Sequence, residues 1–451
     1  MPHIASALVA TTVTTALALP LTAPAVPTAP GAPHSSSAPK PAAHAPPSPS
    51  APAAARPGAR PAPTRPTGPT GPAAVADRPY GPCALTGIRD HVSEVGRTPP
   101  GYARSSGTVR AITLFIDFPD APAAGPVAER YGEFFPMAAD YFRAASYGRL
   151  DYRATAHARW IRMSRPFAAY GIGRGTPFDP ASGSGYYAIS KEILAAVDRD
   201  IDFSRYDLIN VLATPNAGPP ATESVLSVTF SGGPIGLDTD DGVPFTNASF
   251  IWSRQTGDSA FRVLDHEVAH AFGLPDLYYT DGKRRPPPVG HWDPMDEDWG
   301  PADDFLAWHK WKLGWLRAGQ AHCVTRPGTS TYTLTPTAAA GGLKLVAVPL
   351  SGSRAITVEA RDQGPLDPTV CRPGVLVASV DAAAATGTGP VHVADATPGS
   401  GGCATDDPNV DAELSDAAYR AGQTFAAEGV RVEVLGQDGA GRWRVRVTSE
   451  R

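Results

Sequence analysis

The chain carries only four cysteines in 451 residues, and no two of them form a C-x-x-C pair. That disfavours a thiolate metal site; widely spaced Cys83, Cys323, Cys371 and Cys403 suit disulfides made outside the cytoplasm. Three connectivities are open, and the preferred one joins Cys371 to Cys403 within the C-terminal region and Cys83 to Cys323. Basic runs are also missing. Lys and Arg total 39 against 44 Asp and Glu, and a net charge of −5 offers no field for nucleic acid. Beyond the first 25 residues, no apolar run approaches the roughly 18 residues that a membrane span requires. The first eighty residues lack the aromatic and β-branched clusters from which a core is built, and the chain's 49 prolines are concentrated there with Ala, Ser and Thr. That stretch is expected to stay unfolded.

What is present divides into four parts. Residues 1–25 are apolar, uncharged from Ile4 to Leu21, and end in small residues at Ala23-Pro24-Ala25, as an export signal does; the n-region departs from the pattern in having His3 but no Lys or Arg. Residues 26–81 read as a Pro/Ala-rich linker. Residues 82–320 alternate strand and helix patterns. Thr108–Phe118 is expected as a buried strand, Glu133–Ala145 as a helix, Leu150–Ile161 as strand and turn, Tyr186–Val197 as a helix and Asp207–Leu212 as a second buried strand. Phe261–Phe272 has an apolar helical face with Gly273 placed to stop it, and Asp303–Leu313 is expected as a further helix. From residue 321 to 451 short β runs take over, among them Leu343–Val348, Ile356–Glu359, Val375–Val380 and Trp443–Val447. The fold class is α+β, with a β-rich domain following the first.

His266-Glu267-Val268-Ala269-His270 puts two imidazoles one turn apart on one helix face, so that both can ligate one metal ion beside the Glu267 carboxylate. At this composition the motif arises by chance roughly 0.03 times per chain, allowing either acidic residue in the middle. Gly273 and Asp276 extend it to H-E-x-x-H-x-x-G-x-x-D. Glycine permits a sharp exit from the helix, Pro275 stiffens the return, and Asp276 becomes the expected third ligand of a Zn2+ site that keeps one position open for water. Asp293, Asp296 and Glu297 are the substitutes for that role. Glu267 is the expected general base of peptide hydrolysis. His291-Trp292-Asp293-Pro294-Met295 has the composition of a methionine turn beneath such a site.

Weaker signals surround this one. Asp238-Thr239-Asp240-Asp241-Gly242 is rich in carboxylates but lacks a full calcium-loop pattern. Asn247-Ala248-Ser249 is a glycosylation sequon. Tyr278 and Tyr279 follow the motif and are candidates to donate to an oxyanion, with packing as the plainer role.

Several separated segments resemble one family, the immune inhibitor A-like secreted metalloproteases of bacteria. They are Ala111–Asp120 with its Asp-Phe-Pro-Asp end, Ser146–Leu150, Asp202–Asp207, His266–Tyr278 with its Gly-Leu-Pro-Asp-Leu-Tyr tail, Trp292–Met295, and Ala307–Leu316. The likeness covers about residues 105–320. It implies a zincin, metzincin-like catalytic domain, Zn2+ held by His266, His270 and Asp276, Glu267 as base, structural Ca2+, and extracellular cleavage of protein or peptide substrates. The leader matches no recognisable propeptide, and Lys283–Pro288 is a short basic, proline-rich loop. The expected protein is a secreted monomer without stable membrane association. The alternative is a catalytically inactive zincin-fold binding or surface protein.

Overall fold

The computed structural model describes residues 83–451 apart from 89–91, 96–97, 219–226, 253–259, 284, 299–303, 369 and 404–411. The expected signal and linker lie outside the described residues. Those described belong to one compact unit, Ala74–Arg451, and form a mixed α+β protein. No helix among them is long and apolar enough to cross a membrane.

The first sheet contains β1 (Gly107–Asp117), β2 (Leu150–Arg162), β3 (Leu208–Ala213), β4 (Val228–Phe230) and β5 (Ala248–Ile251), in the order β2-β1-β3-β5-β4. Four strands run parallel and β4, at the edge, runs antiparallel to β5. Parallel strands are covered on both faces, which explains the continuous apolar run of β1. Alternation along β1 sorts its side chains: Val109, Ala111 and Phe115 enter one core, Ile112, Leu114 and Ile116 the other. The helices are α1 (Val127–Gly132), α2 (Met137–Ala145), α3 (Gly185–Val197), α4 (Ala260–Ala271) and α5 (Ala307–Lys312). α3 covers the second face with Tyr186, Ile189 and Ile193, while α2 and α4 cover the first.

Three expected elements differ in detail. The helix expected over Glu133–Ala145 is α2 alone, because Pro136 caps it and separates it from α1. Leu150–Arg162 is one strand, paired along β1 to its end. The helix expected from residue 303 begins at Ala307. Asp304 is held outside it, its N–H donating to Asp367 (3.0 Å) and its carbonyl accepting from Arg361 (3.0 Å), and Leu306 donates to Asp293 (2.8 Å).

The later residues form two further sheets. One holds β6 (Ala321–Cys323), β8 (Leu345–Pro349), β9 (Arg354–Arg361), β10 (Gly374–Asp381) and β11 (Val391–Val393); the other holds β7 (Gly328–Leu334), β12 (Thr424–Ala427), β13 (Val430–Gln437) and β14 (Trp443–Ser449). Val346, Val358 and Val377 face the second of these across an apolar core with Val432 and Val445. The alternate residues Leu345, Ala347, Ala355, Leu376 and Ala378 join the core that also contains Val268 and Met295. The change to all-β structure therefore falls near residue 321, but packing is continuous across it. Disulfides join Cys83 to Cys323 and Cys371 to Cys403; the first staples the start of the described chain to β6.

Candidate metal centre

α4 carries the motif with Leu264, Val268, Ala269 and Ala271 in the core, while Glu267 meets Thr229 of β4 and His266 meets the Pro294 carbonyl. Its end is built from backbone: Gly273 has φ +93, and Leu274 N–H reaches back to the Ala269 carbonyl (3.1 Å). Only glycine turns this way without strain. A Cβ there would also come within 2.5 Å of Thr98 Cγ2. The turn brings the Leu274 carbonyl onto His270 Nδ1 (2.7 Å) and returns Asp276 to the helix.

The two imidazole Nε2 atoms stand 3.1 Å apart, and Asp276 Oδ1 is 3.3 Å from the first and 3.2 Å from the second. His266, His270 and Asp276 form the one group among the described residues whose three ligand atoms lie within 4.8 Å of one another. Each Nδ1 meets a carbonyl, Pro294 for His266 (2.7 Å) and Leu274 for His270. A carbonyl only accepts, so each Nδ1 carries a proton, and a ring that gives up its Nε2 proton to a metal directs that lone pair at the other two ligand atoms. Asp276 Oδ1 is buried, and its nearest polar neighbours are the two imidazole Nε2 atoms. Three converging lone pairs repel one another unless a cation lies among them, so the donor set fits a divalent metal such as zinc.

The electrostatics agree. Burial pushes His266 down, yet its hydrogen bond to Asp276 and the Glu267 charge hold it up at about 10. Burial would raise Asp276, but the His270 and His266 interactions hold it well below the usual carboxylate range. The pocket thus favours positive charge at this point. Glu267 is raised by burial, against the lowering influence of both histidines and Thr229. Thr229 of β4 lies 2.7 Å from Glu267 Oε2, 2.8 Å from the Glu267 carbonyl and 2.8 Å from Ser249 Oγ.

Met295 is fully buried, and its carbonyl accepts from Leu277 N–H (2.9 Å). The neighbouring Pro294 carbonyl is the partner of His266, so the Trp292–Met295 turn lies against the site. The substitute ligands Asp293 and Asp296 are engaged elsewhere: Asp293 accepts from Met295 and Leu306 N–H groups, and Asp296 from Val289 (2.6 Å) and Gly290. His291 is buried, and burial pushes its proton affinity down to about 4. The two tyrosines part company. Tyr278 lies 6.2 Å from the His266 ring and hydrogen-bonds Asp276; burial, Asp276 and Glu267 raise its pKa. Tyr279 instead lies under Arg285 (3.7 Å) and bridges Thr388.

The carboxylate-rich loop uses its groups locally, Asp241 accepting from Phe203 N–H (2.7 Å) and Asp240 N–H donating to Asp198 (2.9 Å). Asn247 of the sequon is buried, at 8% exposure, so folding leaves no room for a glycan there. Thr229 and Thr386, which contacts Asp276, carry no sequence signal that picks them out. No protein-family profile and no curated protein matches the chain.

Proposed function

We propose that the chain is an exported zinc-dependent endopeptidase with a zincin-like catalytic part, in which His266, His270 and Asp276 hold the ion and Glu267 carries the proton. One observation carries this reading. Three ligand atoms converge within 4.8 Å, and the residue following the first histidine is a buried carboxyl beside them. Zinc held by such a set supplies Lewis acidity and lowers the pKa of water from about 15.7 to about 7.

The remaining steps belong to side chains. Glu267 takes the proton from the attacking water and returns it to the leaving amine, work suited to a carboxyl raised by burial. Thr229 fixes the orientation of that carboxyl. Tyr278 is held protonated with its hydroxyl on Asp276, and it serves a developing oxyanion by transferring that hydrogen bond, whereas Tyr279 is engaged with Arg285 and Thr388. β4 supports a polypeptide substrate: it is an edge strand, and its Thr229 touches Glu267. An extended peptide adding to that edge through main-chain hydrogen bonds passes the base. Two disulfides fit an oxidising, extracellular setting.

The test strips the full chain of metal and follows casein hydrolysis before and after zinc is returned. Hydrolysis that requires about one zinc per chain is expected. A stripped chain as active as the loaded one ends the metal reading. Stoichiometric zinc without cleavage of casein or of a peptide library leaves the inactive binding protein.

A further inference from the structure

The β region reaches the metal centre through one loop. Between β10 and β11, Thr386 Oγ1 accepts from Asp276 N–H (2.9 Å) and donates to Asp276 Oδ2 (3.2 Å), across 110 residues of sequence. Gly387 N–H donates to the Asp276 carbonyl (3.0 Å), Thr280 N–H donates to the Gly387 carbonyl (2.9 Å), and Thr388 bridges Tyr279. Residues 386–388 thus lie along residues 276–280 with paired backbones.

Two glycines make the approach possible. Gly387 has φ +72, and a Cβ on it would come within 2.3 Å of Thr280 Oγ1; Gly389 has φ +73, and a Cβ there would come within 2.8 Å of the Tyr279 ring. Side chains at either position would lift the loop from the ligand segment.

The consequence lies in which oxygen Asp276 presents. A carboxylate can rotate and exchange its oxygens. The Thr386 hydroxyl engages Oδ2, which leaves Oδ1 directed at both imidazoles (3.3 and 3.2 Å). Partners of this kind orient metal ligands, and their loss weakens metal binding by roughly 10- to 100-fold.

We propose that Thr386 is the positioning residue of the Asp276 ligand, so that the β region completes the metal centre rather than forming an independent binding module. The proposal rests on the zinc reading above. The hydroxyl acts through Asp276 alone, and serine, which retains it, substitutes for threonine.

The test measures the affinity of the metal-free full chain for zinc alone, and records the cobalt(II) absorption spectrum, for wild type, Thr386→Val, Thr386→Ala and Thr386→Ser. Binding about 10- to 100-fold weaker and an altered cobalt spectrum are expected for Thr386→Val and Thr386→Ala, with Thr386→Ser near wild type. Thr386→Ala covers the case in which valine disturbs the loop. Equal affinity in all four chains overturns the proposal while leaving the zinc site standing. Equal loss in Thr386→Ser and Thr386→Val also overturns it, since loop packing and not the hydroxyl would then be responsible. A wild-type chain that binds no zinc overturns the underlying reading instead.

Discussion

Asp293 and His309 form a fully buried ion pair, with Oδ2 2.7 Å from Nδ1. The imidazole continues to Glu94, Nε2 to Oε1 2.8 Å, and Trp308 Nε1 donates to the other Glu94 oxygen (2.9 Å). Asp293 also accepts from Met295 N–H (2.9 Å), next to the Pro294 carbonyl that orients His266. A charged chain therefore runs from the N-terminal segment, through α5, to the turn against the metal centre.

Asp293→Asn removes one charge of this chain and leaves His309 buried with a weakened partner. Breaking a buried pair from one side costs about 3 to 5 kcal/mol. Denaturant unfolding is expected to show that loss, and zinc binding to weaken because the Pro294 turn is no longer held. Unchanged stability would mean that the pair holds nothing.

The same chain sets a pH window. His309 is buried, which lowers its proton affinity, but Asp293 and Glu94 hold it up at about 10, above its ordinary 6.5. Its contribution is complete below 6.5 and is lost as pH rises through 10. Burial raises Glu94, yet His309 and Lys312 bring it down from 4.5 to about 2. Its contribution is complete above 4.5 and is lost as pH falls through 2. The stability difference between wild type and Glu94→Gln is thus expected to hold steady between pH 6.5 and 4.5 and to shrink below 4.5. A difference that grows on acidification contradicts the assignment.

The two disulfides differ in what they close. Cys83 and Cys323 are 240 residues apart, Cys371 and Cys403 only 32. By loop entropy the first bridge stabilises by about 5.5 kcal/mol and the second by about 3.7. The Cys83→Ser/Cys323→Ser chain also frees the segment that carries Glu94. It is expected to unfold at the lower temperature of the two double variants and to release zinc faster. Equal losses would show that the N-terminal segment is held without its staple.

Thr229→Val removes the hydroxyl that contacts Glu267 Oε2. One oriented hydrogen bond is worth about 1.4 kcal/mol, so kcat is expected to fall roughly tenfold with zinc content unchanged. Thr229→Ser should restore most of the rate. Loss of zinc in Thr229→Val would show that the contact serves the fold and not the base.

Local pattern made much of this legible. The apolar face of α4, the stop at Gly273 and the run of β1 each follow from residues close in sequence, and the preferred cysteine pairing is the one observed. What sequence reading missed depends on distant partners. Asp304 is held outside the helix by Arg361 and Asp367, which overrides the helical pattern before Ala307. Glu94 meets His309 across 215 residues and Thr386 meets Asp276 across 110. A threonine in a Gly/Ala loop gives no local sign of such a role. The β region looked separate because its composition changes at residue 321, yet alternation in β8–β10 buries both faces of their sheet.

The most direct measurement sets Glu267→Gln beside wild type and reads zinc content and kcat/KM on the same preparations. The account predicts about one zinc in both chains and a loss of roughly 10²- to 10⁴-fold in kcat/KM for the variant. Activity retained within about threefold, with zinc bound, would show that Glu267 is not the base. Absence of zinc from both chains would contradict the metal centre itself.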